Sequence, residues 1–72
     1  MNNVRRKELR SILDEIEELK DRLQSVADEE EEVRENMNEG TEMYEISEEA
    51  SSNMEDALSS LEDAVSSLEC AC

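Results

Sequence analysis

Several residue types that build active sites are missing from this 72-residue sequence. It contains no proline, histidine, phenylalanine or tryptophan, one glycine and one tyrosine. Without histidine there is no Ser-His or Cys-His pair, and no glycine-rich phosphate loop is present. The many carboxylates have no predicted pocket in which one could serve as acid and a neighbour as base. We therefore expect a protein that is not an enzyme and has no cofactor.

Metal-binding and membrane-spanning patterns are also missing. The only two cysteines, Cys70 and Cys72, form a lone C-x-C, and nothing else supplies the soft ligands that a four-coordinate zinc site needs. We expect no metal, with Cys72 a small apolar residue and Cys70 an exposed thiol. No apolar run approaches the roughly 20 residues that cross a bilayer. No signal peptide is recognisable, and two cysteines without one favour a reducing, cytosolic setting.

Positive charge is scarce and confined to one half of the chain. The net charge is −15, and all seven basic residues lie within residues 1–34, so residues 35–72 carry −11 without a single base. This sign disfavours direct binding to nucleic acid or to anionic lipid. Any partner selected by charge should be basic.

A heptad pattern is the strongest feature that the sequence does contain. With Leu9 as position a, eight of the nine a and d positions up to Met37 are apolar, which is typical of a coiled-coil helix. The a row is Leu9, Ile16, Leu23, Glu30 and Met37, and the d row is Ile12, Leu19, Val26 and Val33.

A second heptad tract follows the glycine, and its d row is mostly alanine. Two consecutive heptads, residues 56–62 and 63–69, match at six of seven positions. The a row is Ser47, Met54, Leu61 and Leu68, and the d row is Met43, Ala50, Ala57, Ala64 and Ala71.

The two tracts predict an all-α antiparallel helical hairpin. We place helix 1 at about 3–37, a turn at about 38–42 and helix 2 at about 43–70, with Gly40 ending the first helix and Thr41 capping the second. Pairing the d rows matches Leu19 with Ala64, and pairing the a rows matches Leu23 with Leu61. Both pairings centre the turn beside Gly40 and predict an a/d interface.

Three apolar residues at e positions lie outside that predicted interface. Leu13, Leu58 and Val65 would form an apolar flank in need of cover, because one interface between two helices is a thin core. We expect self-association through this flank, giving a homodimer that forms a four-helix bundle.

The carboxylates form the other candidate surface. Roughly 50 Å of hairpin would carry one carboxylate per ~2.3 Å, compared with one charge per ~1.7 Å of B-DNA axis, so a mimic of nucleic acid is one interpretation. The alternative is an acidic outer face that serves only solubility. The candidate partner-binding acids are Glu29, Glu31, Glu32, Glu48, Glu49, Glu55, Asp56, Glu62 and Asp63.

The sequence also resembles a group of small acidic proteins of Gram-positive phages and prophages. The resemblance rests on Arg5-Arg6-Lys7-Glu8-Leu9, on the acidic run that begins at Asp28 and leads to Glu35-Asn36-Met37, and on Ala64-Val65-Ser66-Ser67-Leu68-Glu69. It departs at residues 38–47, where a proline and an arginine would be expected. The resemblance implies a phage-like origin in the cytoplasm of a bacterial host, and small acidic phage proteins often antagonise host nucleases or immune complexes.

Two functions therefore stay open. The first is a binding inhibitor, DNA-mimic-like or anti-CRISPR-like, whose acids occupy a basic groove of a host nuclease or defence effector. The second is a structural coiled-coil protein that assembles into a larger bundle. Binding that weakens steeply with salt distinguishes the first from the second.

Overall fold

The computed structural model describes residues 2–72, and over that range the chain is an antiparallel hairpin of two long helices. Helix α1 spans Asn3–Glu35 and helix α2 spans Glu42–Ala71. They pack against each other in a rod with extents of 55 × 15 × 12 Å. The all-α hairpin predicted from the heptad tracts is confirmed.

Both helices begin at a side chain that caps free backbone N–H groups. The side-chain Oδ1 of Asn2 accepts a hydrogen bond of 2.9 Å from the backbone N–H of Arg5. In α2 the Thr41 hydroxyl accepts one of 3.2 Å from the N–H of Tyr44, and Glu42 adds negative charge to the first turn. Such caps stabilise a helix because its first N–H groups have no partner within the helix.

Helix α1 ends at Glu35, two residues before the predicted end. The backbone N–H groups of Asn36 and Met37 reach back only three residues, to the carbonyls of Val33 (3.1 Å) and Arg34 (2.9 Å). These shorter bonds tighten the last turn and leave the α-helical pattern.

The turn depends on the conformation of Gly40. Its φ is +82°, in the region that residues with a Cβ rarely adopt. No atom lies within 4 Å of the place where a Cβ would be, so a side chain would fit in the available space. Glycine is favoured at this position because of its positive φ. Thr41 then donates its hydroxyl hydrogen to the carbonyl of Asn38 at 2.8 Å, and α2 starts one residue earlier than predicted.

The interface between the helices, called the seam below, is built from the a and e rows. The predicted a/d interface is therefore wrong for the d row of α1: Leu19 is 51% exposed, so it does not pair with Ala64 inside the seam, whereas Leu23 and Leu61 lie within it. The d row of α2 lies at the edge of the seam, with Ala50 and Ala64 half-buried and Ala57 and Ala71 exposed. The buried and half-buried residues of the a and e rows are, in α1, Leu9, Leu13, Ile16, Lys20, Leu23, Ala27, Glu30 and Arg34, and, in α2, Tyr44, Ser47, Ser51, Met54, Leu58, Leu61, Val65, Leu68 and Cys72.

Side-chain size explains the choice of row in α2. Its e row carries Leu58 and Val65, which are 8% and 7% exposed and are the most buried apolar side chains. Its d row carries mainly alanine. Turning the e row inward removes more apolar surface from water than turning the alanines inward, at roughly 25 cal/mol per Å².

Candidate binding surfaces

The carboxylates lie on the surface of the rod almost without exception. Every aspartate and glutamate is exposed except Glu30, which is half-buried at an a position of the seam. The hairpin thus displays its negative charge to any partner.

The b rows of the two helices carry six of these acids on one side of the hairpin. In each helix the b row lies about 80° from the middle of the seam, and in an antiparallel pair both b rows fall on the same side. Two clefts on this side are consistent with that placement, since Glu31 and Glu55 line one and Arg10 and Glu69 line the other. We call this side the acidic face, formed by Arg10, Glu17, Gln24, Glu31, Glu48, Glu55, Glu62 and Glu69.

The nine acids predicted as a binding site do not share one face. Glu31, Glu48, Glu55 and Glu62 belong to the acidic face. Glu29, at a g position, lies toward the opposite side. The remaining four occupy c positions, which point away from the other helix: Glu32, Glu49, Asp56 and Asp63. The structure therefore narrows any single contact surface to part of the predicted set.

A partly buried polar cluster joins the helices at the end of the rod near the turn. The Nη1 of Arg34 donates to the backbone carbonyl of Ser47 at 3.2 Å and contacts its hydroxyl at 3.4 Å. It also donates to the Ser51 hydroxyl. Ser47 is only 2% exposed, so the guanidinium satisfies polar atoms that water hardly reaches. Sequence reasoning missed this cluster, although an arginine and two serines at seam positions were a visible signal.

A shallow cleft of about 380 Å³ adjoins this cluster at the turn. It is lined by acids from α1 and the turn around Arg34, Met37 and the single aromatic residue, Tyr44. It is open to solvent and lacks the enclosed apolar walls typical of small-molecule sites.

The residues predicted to mediate self-association lie elsewhere than expected. Leu58 and Val65 are buried in the seam of one chain, and Leu13 is half-buried and lines a cleft with Cys72. The expected exposed flank is therefore wrong for Leu58 and Val65, which α1 of the same chain covers, and Leu13 lies in the same seam, half-buried.

An apolar surface is exposed on the opposite side, where sequence reasoning placed the core. The d rows lie about 80° from the middle of the seam, on the side away from the acidic face. The four α1 side chains are 39–52% exposed. We call this side the apolar face, formed by Ile12, Leu19, Val26 and Val33 of α1 and Ala50, Ala57, Ala64 and Ala71 of α2. Ala57 and Ala71 are exposed, whereas Ala50 and Ala64 are half-buried beside the seam.

The described residues contain no group of three or more potential metal ligands. Cys70 is an exposed free thiol, and Cys72 is free and half-buried. Between residues 2 and 72, neither helix combines the length and apolar character needed to cross a bilayer. Comparison of the chain with protein-family models, curated proteins and solved structures found no match.

Proposed function

We propose that this chain is a non-catalytic acidic binding protein of phage origin. It acts in the bacterial host cytoplasm and inhibits a nucleic-acid-binding or defence protein, such as a nuclease or a CRISPR effector. The observation that supports this function is the display of nearly all carboxylates on the outside of a rod that is 55 Å long.

The charge density of the rod is suited to a basic groove. A net charge of −15 over 55 Å is one charge per about 3.7 Å, about half the linear density of B-DNA. Basic grooves that hold nucleic acid attract such a surface over several ångströms at low salt.

The rigidity of the hairpin supports the same proposal. The seam and the Arg34 cluster hold the backbone of both b rows in place, so only the side chains of the acidic face must become ordered when a partner binds. Less ordering leaves more of the interaction free energy for affinity.

Displacement of DNA from a panel of nucleases and CRISPR effectors tests the proposal. At low salt the chain should compete with DNA for at least one of them, and the competition should weaken steeply as sodium chloride rises. No competition with any basic nucleic-acid-binding protein, at any salt concentration, contradicts the proposal.

Two matched triple variants locate the contact surface. One neutralises Glu48, Glu55 and Glu62 of the acidic face, and the other neutralises Glu49, Asp56 and Asp63 on the outer side of α2. Both remove three exposed charges from one helix, so the net charge is the same. The first variant should compete with DNA far more weakly than the second. Equal weakening in both variants would indicate attraction by net charge without a defined contact face.

The alternative function is structural, with the chain assembling into a larger helical bundle. The exposed d row of α1 favours it, because such a row is common where helices pack. Assembly through that row should be nearly insensitive to salt, and the acids would then serve solubility.

A further inference from the structure

The apolar face combines a row of large side chains with a row of small ones. The large side chains of α1 recur every seven residues, from Ile12 to Val33, and the alanines of α2 recur at the same spacing, from Ala50 to Ala71. The rows run side by side in opposite chain directions. A ridge therefore lies next to a groove of the same length and period.

The α2 part of this face carries no charge. Every carboxylate of α2 lies in rows b, c or f, whereas its g row, beside the alanines, holds Ile46, Asn53, Ser60 and Ser67. In a protein of charge −15, this is a long surface that another acidic chain can approach without meeting like charges.

We propose that a second copy of this chain covers the apolar face and completes a symmetric four-helix bundle. The two-fold axis runs parallel to the helices, so that α1 of each copy lies antiparallel over α2 of the other. In this arrangement Leu19 meets Ala64 of the partner subunit, and Val26 meets Ala57 of the partner subunit. The ridge of each copy fits the groove of the other, as interdigitating cores require.

The available area matches what a stable dimer needs. A face of 55 × 15 Å offers about 800 Å² per chain, which is the size of a standard specific interface. A smaller helical partner would leave part of the row from Ile12 to Val33 in water.

Charge selects between the two symmetric ways of joining these faces. With the axis perpendicular to the helices, α1 would lie on α1, and its g row would face its own copy. This row holds Glu8, Glu15, Arg22 and Glu29 and carries a net charge of −2. With the axis parallel to them, this row faces the uncharged g row of α2. The parallel axis therefore avoids repulsion and also pairs large residues with small ones.

Sedimentation of the full chain with Ala57→Leu tests the interface. Ala57 is exposed in the hairpin, so leucine is tolerated within one chain but fills the groove that the partner's ridge needs. The dissociation constant should rise at least about tenfold, while Ser59→Leu, an exposed control on another side of α2, should leave it unchanged. A wild-type chain that stays monomeric at about 100 µM, or an Ala57→Leu dimer that is tighter than wild type, overturns the proposal.

A size swap tests the specific pairing. Val26→Ala and Ala57→Val should each weaken the dimer, and the double variant should recover most of the loss because each valine again meets an alanine. Helical content measured by circular dichroism shows whether the variants stay folded. Losses that simply add in the double variant contradict the pairing of Val26 with Ala57 of the partner subunit.

The orientation is tested by a distance between spin labels. A label at Glu39→Cys, in a chain with Cys70→Ser and Cys72→Ser, marks the turn of each copy. A parallel axis brings the two turns to the same end of the bundle, about 20 Å apart for neighbouring helices. A distance near the 55 Å length of the rod supports the perpendicular axis and overturns the proposal.

This dimer is independent of the proposed inhibition, because it is tested without a partner. It leaves both acidic faces outside and doubles the charge along the rod to one per about 1.8 Å, close to the density of B-DNA. If the chain dimerises but does not compete with DNA for any basic groove, the proposed interface stands and the proposed inhibitor function is contradicted.

Discussion

The two ends of the seam are held together by different chemistry. Near the turn, Arg34 bonds to Ser47 and Ser51 across the interface. From the middle of the rod toward the other end, Leu58 and then Val65 are the buried apolar residues. Buried polar bonds have strict geometry but a modest net free energy, whereas apolar burial is less directional and contributes more. The difference suggests that the polar end sets the register of the hairpin and the apolar end supplies most of its stability.

The largest expected effect comes from removing apolar volume from the apolar part of the seam. Leu58→Ala should lower the free energy of unfolding by about 2–3 kcal/mol, because it leaves a cavity in the seam. Thermal melts followed by circular dichroism measure this. Val4→Ala is the control, since Val4 is 77% exposed at a position away from the seam and the apolar face, and should change the stability little; equal effects would remove the distinction between seam and surface.

A smaller loss is expected at the polar end. Arg34→Ala removes the donor for the Ser47 carbonyl and for the Ser51 hydroxyl and should cost about 1–2 kcal/mol. Urea unfolding at equilibrium measures it, with Arg22→Ala as an exposed control that removes the same charge. If Arg34→Ala lowers the free energy of unfolding more than Leu58→Ala does, the polar cluster and not the apolar part of the seam supplies most of the stability.

Next in size is the cap that starts α2 at the turn. Thr41→Ala removes the acceptor for the N–H of Tyr44 and should cost about 1 kcal/mol. Ser52→Ala, at an exposed f position in the same helix, is the matched control and should be close to neutral. Hydrogen exchange at the first turn of α2 should accelerate in the first variant only; unchanged exchange there contradicts the role of Thr41.

The smallest expected effect is that of salt on the whole hairpin. Raising sodium chloride from about 20 mM to about 500 mM shortens the Debye length and weakens repulsion among the carboxylates, so the melting temperature should rise by a few degrees. The variant with Glu49, Asp56 and Asp63 neutralised should respond less, because its self-repulsion is lower. A melting temperature that falls with salt would mean that attraction between charges outweighs repulsion.

Side-chain size in α2 was the sequence signal that could have identified the seam correctly. The a row and the position of the turn follow from the heptads and from Gly40, and Leu23 and Leu61 lie in the seam as predicted. The d row of α1 was placed inside by the convention that a and d positions face a partner. Leu58 and Val65, both larger than the alanines at d, already favoured an a/e seam.

The candidate surfaces were less predictable than the fold. That the acids lie outside follows from their charge, since burying an unpaired carboxylate is costly. Which of them share a face depends on the rotation of each helix about its axis. This rotation moved Glu29 to one side and Glu31 to the other, and it exposed the row from Ile12 to Val33.

The amino-acid sequence alone determined two long helices, their antiparallel order, the turn at Gly40 and the strongly acidic exterior. Periodicity, capping residues and charge act locally, so they can be read along the chain. Only the tertiary structure decided that rows a and e form the seam, that Arg34 bonds to Ser47 across it, and that the d rows form an exposed apolar face. These depend on the competition between rows for one narrow interface, and that competition is resolved only when both helices pack together.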